Sequence, residues 1–205
     1  PFPLALRVAA LVWLVVFMTA YWRTYGPANF LHLCDVAVIL TCIGLWRGSA
    51  LLLSTQAVSS LVVDLAWNLD FLWRLLLGRH LIGGTEYMWD ARFPLAVRAM
   101  SLFHLVWPVL LLWALRRVGY DRRGLLIQSL IAAALLTASR FVLPEVNINF
   151  AQRDPFWGRQ WGPGAAHVAL TWAVLCGVVY WPTHRLLLRL FPRSEVERGA
   201  ATTAA

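Results

Sequence analysis

Asn29-Phe-Leu-His32-Leu-Cys34-Asp35-Val-Ala-Val-Ile-Leu-Thr-Cys42-Ile-Gly-Leu-Trp46 is the stretch on which the reading of the whole chain turns. As a helix it is about long enough to cross the ~30 Å hydrocarbon core of a bilayer. Its first turns nevertheless carry His32, Cys34 and Asp35. Ionisable groups within a membrane helix are costly and usually face protein or a wet cavity. The stretch therefore says where the chain lives and where chemistry could sit.

The composition agrees. The 205 residues are 60% hydrophobic and only 14% charged, with mean hydropathy +0.64, against about 25% charged residues in a soluble domain. The apolar residues gather in runs of about 20, the length of a spanning helix. Six spans follow: 3–22, 29–46, 50–67, 95–115, 124–143 and 165–190. The run from Pro3 to Tyr21 is longer than a signal-peptide core and leads into an aromatic belt, Tyr21-Trp22-Arg23-Thr24-Tyr25, so it reads as a membrane helix. The chain opens on Pro1 rather than a methionine, as a numbering that starts inside a longer precursor would. The expected fold is an all-α polytopic membrane bundle of about six transmembrane helices, a single domain over 1–193 with a polar tail at 194–205. Residues 68–78 read as a short re-entrant or interfacial helix, and 144–164 as an aromatic, glycine-rich lid or interfacial loop. Pro108 and Pro182 are expected to kink their helices and free backbone carbonyls.

The net charge of +8 comes from arginine, with no lysine, and the arginines stand at the ends of apolar runs. That placement suits phospholipid headgroups and topology rather than nucleic acid. Arg7, Arg47, Arg116, Arg117, Arg122 and Arg123 lie in short segments on the side that holds both termini, which are therefore expected in the cytoplasm of a bacterial inner membrane. Most of the 12 tryptophans read as headgroup-level anchors. Cys34, Cys42 and Cys176 show neither a zinc spacing nor a disulfide framework.

On this topology several segments carry polar groups at similar depth on the side opposite the termini. They are His32, Cys34 and Asp35; Asp64 and Asn68; Arg98, Ser101 and His104; Ser139 and Arg140; and the loop residues Asn147 and Asn149. Buried polar groups must be satisfied internally, so convergence on one cavity open to the non-cytoplasmic leaflet is the economical arrangement. At about 100° per residue, His32 and Asp35 share a face while Cys34 points away from His32. His104 is then the better partner for Cys34. Asp35 is placed to orient His32 or to pair with Arg98 or Arg140, and Asp64 and Arg140 can form a buried ion pair. Cys34 is more often a small buried hydrophobe than a nucleophile, and His32 with Asp35 is more often a structural pair than a catalytic one. His80, His167 and His184 read as interfacial. No cofactor or metal is expected: His32 and His104 lack the second pair or attachment motif that haem would need, and no phosphate loop, HExxH or GxSxG is present.

Leu31-His-Leu-Cys-Asp35 resembles the LPLHLC motif of the YwaF-type integral membrane proteins. Ser101-Leu-Phe-His104 is similar to that family's mid-chain histidine helix, and Asn149-Phe150 with Pro155 and Gly162-Pro163 to a later segment. The blocks occur in the family's order, although the chain is one span short, His104 precedes Leu105 rather than Gly, and Asp154 stands where the family has Lys. The resemblance implies cysteine-dependent acyl transfer between phospholipids. Cys34 would be the acyl-accepting thiolate, His104 the base, Asn147 or Asn149 the oxyanion donor, and arginines the phosphate holders. His32, Asp35, Asp64, Arg98 and Arg140 complete the substrate-binding set. The partner would be membrane lipid. The rival expectation is a non-catalytic subunit packed among other membrane proteins; a solute carrier fits less well, because there is no inverted repeat.

Overall fold

The computed structural model describes residues 2–191 and shows an all-α bundle. Its helices are α1 (Leu4–Tyr25), α2 (Leu33–Arg47), α3 (Ala50–Leu77), α4 (Leu95–Met100), α5 (Phe103–Val118), α6 (Gly124–Arg140), α7 (Gly164–Val174) and α8 (Trp181–Leu190). The α4–α5 pair is interrupted only at Ser101 and Leu102, and a π-helical turn, Leu175–Tyr180, joins α7 to α8. Six rods result, as expected. Four are long and apolar enough to cross a membrane: Leu4–Tyr25, Ala50–Leu77, Leu95–Val118 and Gly164–Leu190. α6 (17 residues) and α2 (15 residues) are shorter. Polar side chains are buried while large apolar ones line the outside of α1, α6 and α7, the arrangement of a multi-pass membrane protein.

α3 is the central rod and packs against α2, α5 and α6. Glycines set two of these crossings. A Cβ on Gly124 would lie 2.9 Å from the Ser54 carbonyl carbon, and one on Gly44 would lie 3.1 Å from Leu53 Cγ. Small residues at such points let helix backbones approach closely.

Contacts at the helix ends define two sides. One holds the Arg7 guanidinium over Trp46, Phe2 against Trp113, and Tyr120 hydrogen-bonded to His184. Both described ends of the chain lie here. The other holds the turn before α2, the end of α3, the start of α4 and the loops 78–94 and 141–163.

Three local expectations are corrected. Residues 68–77 are not a separate re-entrant helix: they continue α3 without a break to Gly78, which caps it at φ +73°. The helix expected from residue 29 starts at Leu33, because Gly26 (φ +80°) and Pro27 open a 3₁₀ turn, Pro27–Leu31, and His32 is extended at ψ 133°. The break in the fourth rod falls at Ser101–Leu102 rather than at Pro108, around which α5 is continuous. Pro182 sits in the first turn of α8, just after the π turn. The tail 194–205 lies outside the described residues.

Candidate functional site

The polar groups on the side opposite the chain ends form two adjoining clusters joined by the turn into α2. The first surrounds His104 at the head of α5. His104 Nδ1 donates to Asp64 Oδ1 at 2.7 Å, and both residues are buried, 4% and 2% exposed. One helical turn beyond Asp64, Asn68 Nδ2 donates to the His104 carbonyl at 2.9 Å. The imidazole is stacked between Trp67 (4.7 Å) and Phe103 (4.1 Å). This fixes the ring from three directions: a carboxylate on one nitrogen and an aromatic on each face. Its Nε2 has no hydrogen-bond partner among the described residues.

Cys34 and Asp35 occupy the first turn of α2. The Cys34 thiol donates to Asp35 Oδ1 at 3.8 Å, and Asp35 Oδ2 accepts from Asn29 Nδ2 at 2.5 Å. Asp64, Tyr21 and Tyr87 are electrostatic neighbours of Cys34. Tyr21 from α1 shares a 2.7 Å hydrogen bond with Ser101, and Trp67 Nε1 donates to the Tyr87 hydroxyl at 3.2 Å. Hydrogen bonds thus pair Asp64 with His104, Cys34 with Asp35 and Ser101 with Tyr21, and none joins Cys34 to His104 among the described residues. His32 turns to its own loop, donating Nδ1 to the Asn29 carbonyl at 2.9 Å, so it neither pairs with Asp35 nor joins the His104 cluster.

The second cluster ties the loop 141–163 to the bundle. Asn149 accepts from the Leu33 amide (2.9 Å) and donates to the Leu31 carbonyl (2.7 Å) and Ser139 Oγ (3.0 Å). Asn147, Asn149 and Phe150 hold left-handed backbone at φ +54° to +58°, which asparagine tolerates better than most residues. Asn147 closes the turn, accepting the Gln152 and Arg153 amides and donating to the Arg153 carbonyl. Arg140 donates to Ala151 O, Gln152 Oε1 and Gln160 Oε1, with its guanidinium against Gly164 at the start of α7.

These partners correct several expected roles. Asp64 pairs with His104 and Arg140 with neutral acceptors, so the two form no ion pair. Asp35 pairs with Asn29 rather than Arg98 or Arg140. Arg98 binds the Phe93 and Met88 carbonyls and anchors the loop before α4. Both amide hydrogens of Asn149 are taken, and Asn147 serves its own turn, so neither offers a donor to an oxyanion. His167 is fully buried rather than interfacial, accepting from the Trp161 amide and donating to the Phe150 carbonyl.

Asp70, which carried no role in the sequence, caps the end of α3. Its carboxylate accepts the amides of Leu81, Ile82 and Gly83 (2.8, 2.7 and 3.0 Å), His80 Nδ1 (3.0 Å) and the Thr85 hydroxyl. Folding this anion into three successive amides locks the Gly-rich loop onto the helix, a use of the backbone concavity that elsewhere binds external anions.

No group of three or more His, Cys, Asp or Glu side chains among the described residues could hold a metal ion. An open apolar furrow of about 800 Å³ runs along the outer face of α1 from Leu4 to Val16 and contains none of these polar groups. Comparison with protein families, curated proteins and solved structures finds no match for this chain.

Proposed function

We propose that this chain is a multi-pass membrane enzyme that transfers an acyl group between membrane lipids through Cys34. The observation that carries the reading is the 2.7 Å contact between Asp64 and His104, with Cys34 an electrostatic neighbour of Asp64. A carboxylate on Nδ1 fixes the tautomer that leaves Nε2 as proton acceptor, which is the division of labour in thiol and hydroxyl triads. Asp64 is then a positioning residue and His104 the base.

In the reaction, His104 takes the Cys34 proton and the sulfur attacks the ester carbonyl of a phospholipid. The acyl C–O bond breaks, and the lysophospholipid leaves with the proton held by His104. A second lipid hydroxyl attacks the thioester, its proton passes to the sulfur through His104, and the thiol is regenerated. The described ends of the chain, with the exposed arginines of the α5–α6 turn, face the cytoplasm of a bacterial inner membrane by the short-loop rule. The reacting cluster then lies toward the outer leaflet.

The test is mass spectrometry of the protein in nanodiscs of phospholipid with isotope-labelled acyl chains. An acyl mass on the peptide carrying Cys34, released by hydroxylamine and absent in Cys34→Ser, is the expected result. No thioester on Cys34, with its thiol intact, overturns the reading. A second reading, a non-catalytic subunit, is favoured by the apolar outer face of α1, where Leu4, Val8, Val12, Val15 and Val16 are all exposed. Co-purification with a large complex after mild solubilisation, without the thioester, would establish it.

A further inference from the structure

α3 buries Ser54, Thr55, Gln56, Ser59, Ser60, Asp64 and Asp70 and half-buries Asn68, an unusual polar load for a helix in the middle of a membrane bundle. Gln56, Ser60, Asp64 and Asn68 recur every four residues, so they form one ridge, about 18 Å long at 1.5 Å per residue. Three of the four keep a buried polar atom with no hydrogen-bond partner among the described residues: Gln56 Nε2, Asp64 Oδ2 and Asn68 Oδ1. Two facing helices add more. Thr41 of α2 lies at the depth of Gln56, each seven positions from the Gly48–Ser49 turn, and its hydroxyl is also unpartnered among the described residues. Trp107, one turn beyond His104 on α5, has an unpartnered indole N–H.

An unmet buried polar group costs about 1–3 kcal/mol. Five of them, three on α3 and one each on α2 and α5, which both pack against it, would be a severe penalty in a dry interior. The usual remedy is internal water bonded to two to four protein groups. The free groups comprise donors, the Gln56 amide N–H, Thr41 hydroxyl and Trp107 indole N–H, and acceptors, the Asp64 carboxylate oxygen and the Asn68 carbonyl.

We propose that this ridge holds a file of water molecules that conducts protons along α3, between the Asp64–His104 pair and the side bearing the chain ends. On that side the file ends at Gln56 and Thr41, each seven positions from the Gly48–Ser49 turn. The titratable groups facing the inner end are Cys34 and Asp35 from α2, Tyr21 from α1 and Tyr87 from the loop before α4. Asp64 and His104 pass the proton between carboxylate and imidazole, so no net charge need enter the bilayer beyond the proton in transit.

This inference does not depend on acyl transfer, and its test excludes that chemistry by using ether-linked phospholipid, which has no ester to cleave. The protein is reconstituted into such vesicles loaded with pyranine, and a valinomycin potassium potential drives protons inward. Acidification faster than in protein-free vesicles is expected, falling to the protein-free rate in Asp64→Asn and in Gln56→Leu. Val62→Ala, on the exposed face of α3, keeps the full rate. Should Asp64→Asn fail to fold by circular dichroism and gel filtration, Gln56→Leu and Ser60→Ala carry the test. A wild-type rate equal to that of empty vesicles overturns the proposal, as does a rate that survives Gln56→Leu and Ser60→Ala.

Discussion

Asn68 donates its side-chain amide to the backbone carbonyl of His104 at 2.9 Å, and that carbonyl is the one Pro108 leaves without a helical partner. In a regular helix the amide of residue 108 would donate to the carbonyl of residue 104, and proline has no N–H to give. α3 supplies the missing donor from outside. The same exchange explains why α5 runs on through its proline, and it fixes His104 axially while Asp64 fixes its ring.

Asn68→Ala is therefore expected to destabilise the bundle by about 1–3 kcal/mol, the cost of a buried carbonyl left unpaired. Pro108→Ala returns an amide to that carbonyl. In the double variant the loss from Asn68→Ala should shrink, and a thermodynamic cycle from thermal unfolding in detergent measures the coupling. Additive losses would show that the two residues act separately.

Gly124 bears on a different crossing. Adding a methyl there would place it 2.9 Å from the Ser54 carbonyl carbon and 3.0 Å from the Thr55 nitrogen, both backbone atoms that cannot rotate away. Gly124→Ala should cost about 1–3 kcal/mol as overpacking and lower Tm. Gly177→Ala, with no neighbouring atom within 4 Å of the new Cβ, should leave Tm nearly unchanged by comparison.

Much of this architecture can be read from hydropathy. The six rods follow from apolar runs of spanning length, and the convergence of Asp64, Ser101 and His104 follows from counting depth along them. The pairing within the site does not. Asp35 finds Asn29 and His32 finds the Asn29 carbonyl because Gly26 and Pro27 turn the chain before α2, and left-handed Gly26 leaves no periodic mark. The polar ridge of α3 is present in the sequence as Gln56, Ser60, Asp64 and Asn68, but overall apolarity hides it until spacing by four is sought. The reach of Asn149 to residues 31 and 33 crosses more than 100 positions and depends on three residues with positive φ, which no local pattern reveals.

That reach gives a test of what Asn149 does. It holds the first turn of α2, and hence Cys34, against Ser139 at the end of α6. Asn149→Ala should speed amide hydrogen exchange at Leu33 and through the loop 144–163, with little change in the distant α5–α6 turn. Unchanged exchange at Leu33 would mean that the α2 start is held by its own Asn29–Asp35 bond instead.

The loop also carries its own pH response. Asp154 accepts the amides of Phe156, Trp157 and Arg159 and the indole N–H of Trp161. Desolvation by itself would raise its carboxyl, but these hydrogen bonds, that from the Trp157 amide foremost, outweigh it and hold the pKa below the usual carboxylate value. A depressed folded pKa means the carboxylate stabilises the loop above its unfolded pKa of about 3.9, and that contribution fades as pH falls through the lower folded value. Pepsin, active in acid, should therefore leave the 154–161 segment intact near pH 5 and cut between Phe156 and Trp161 as the pH falls below about 3.9. Asp154→Asn loses the anionic acceptor at every pH, so it should be cut already near pH 5. Equal cleavage of wild type at both ends of that range would show that the turn is held by its tryptophans and not by the carboxylate.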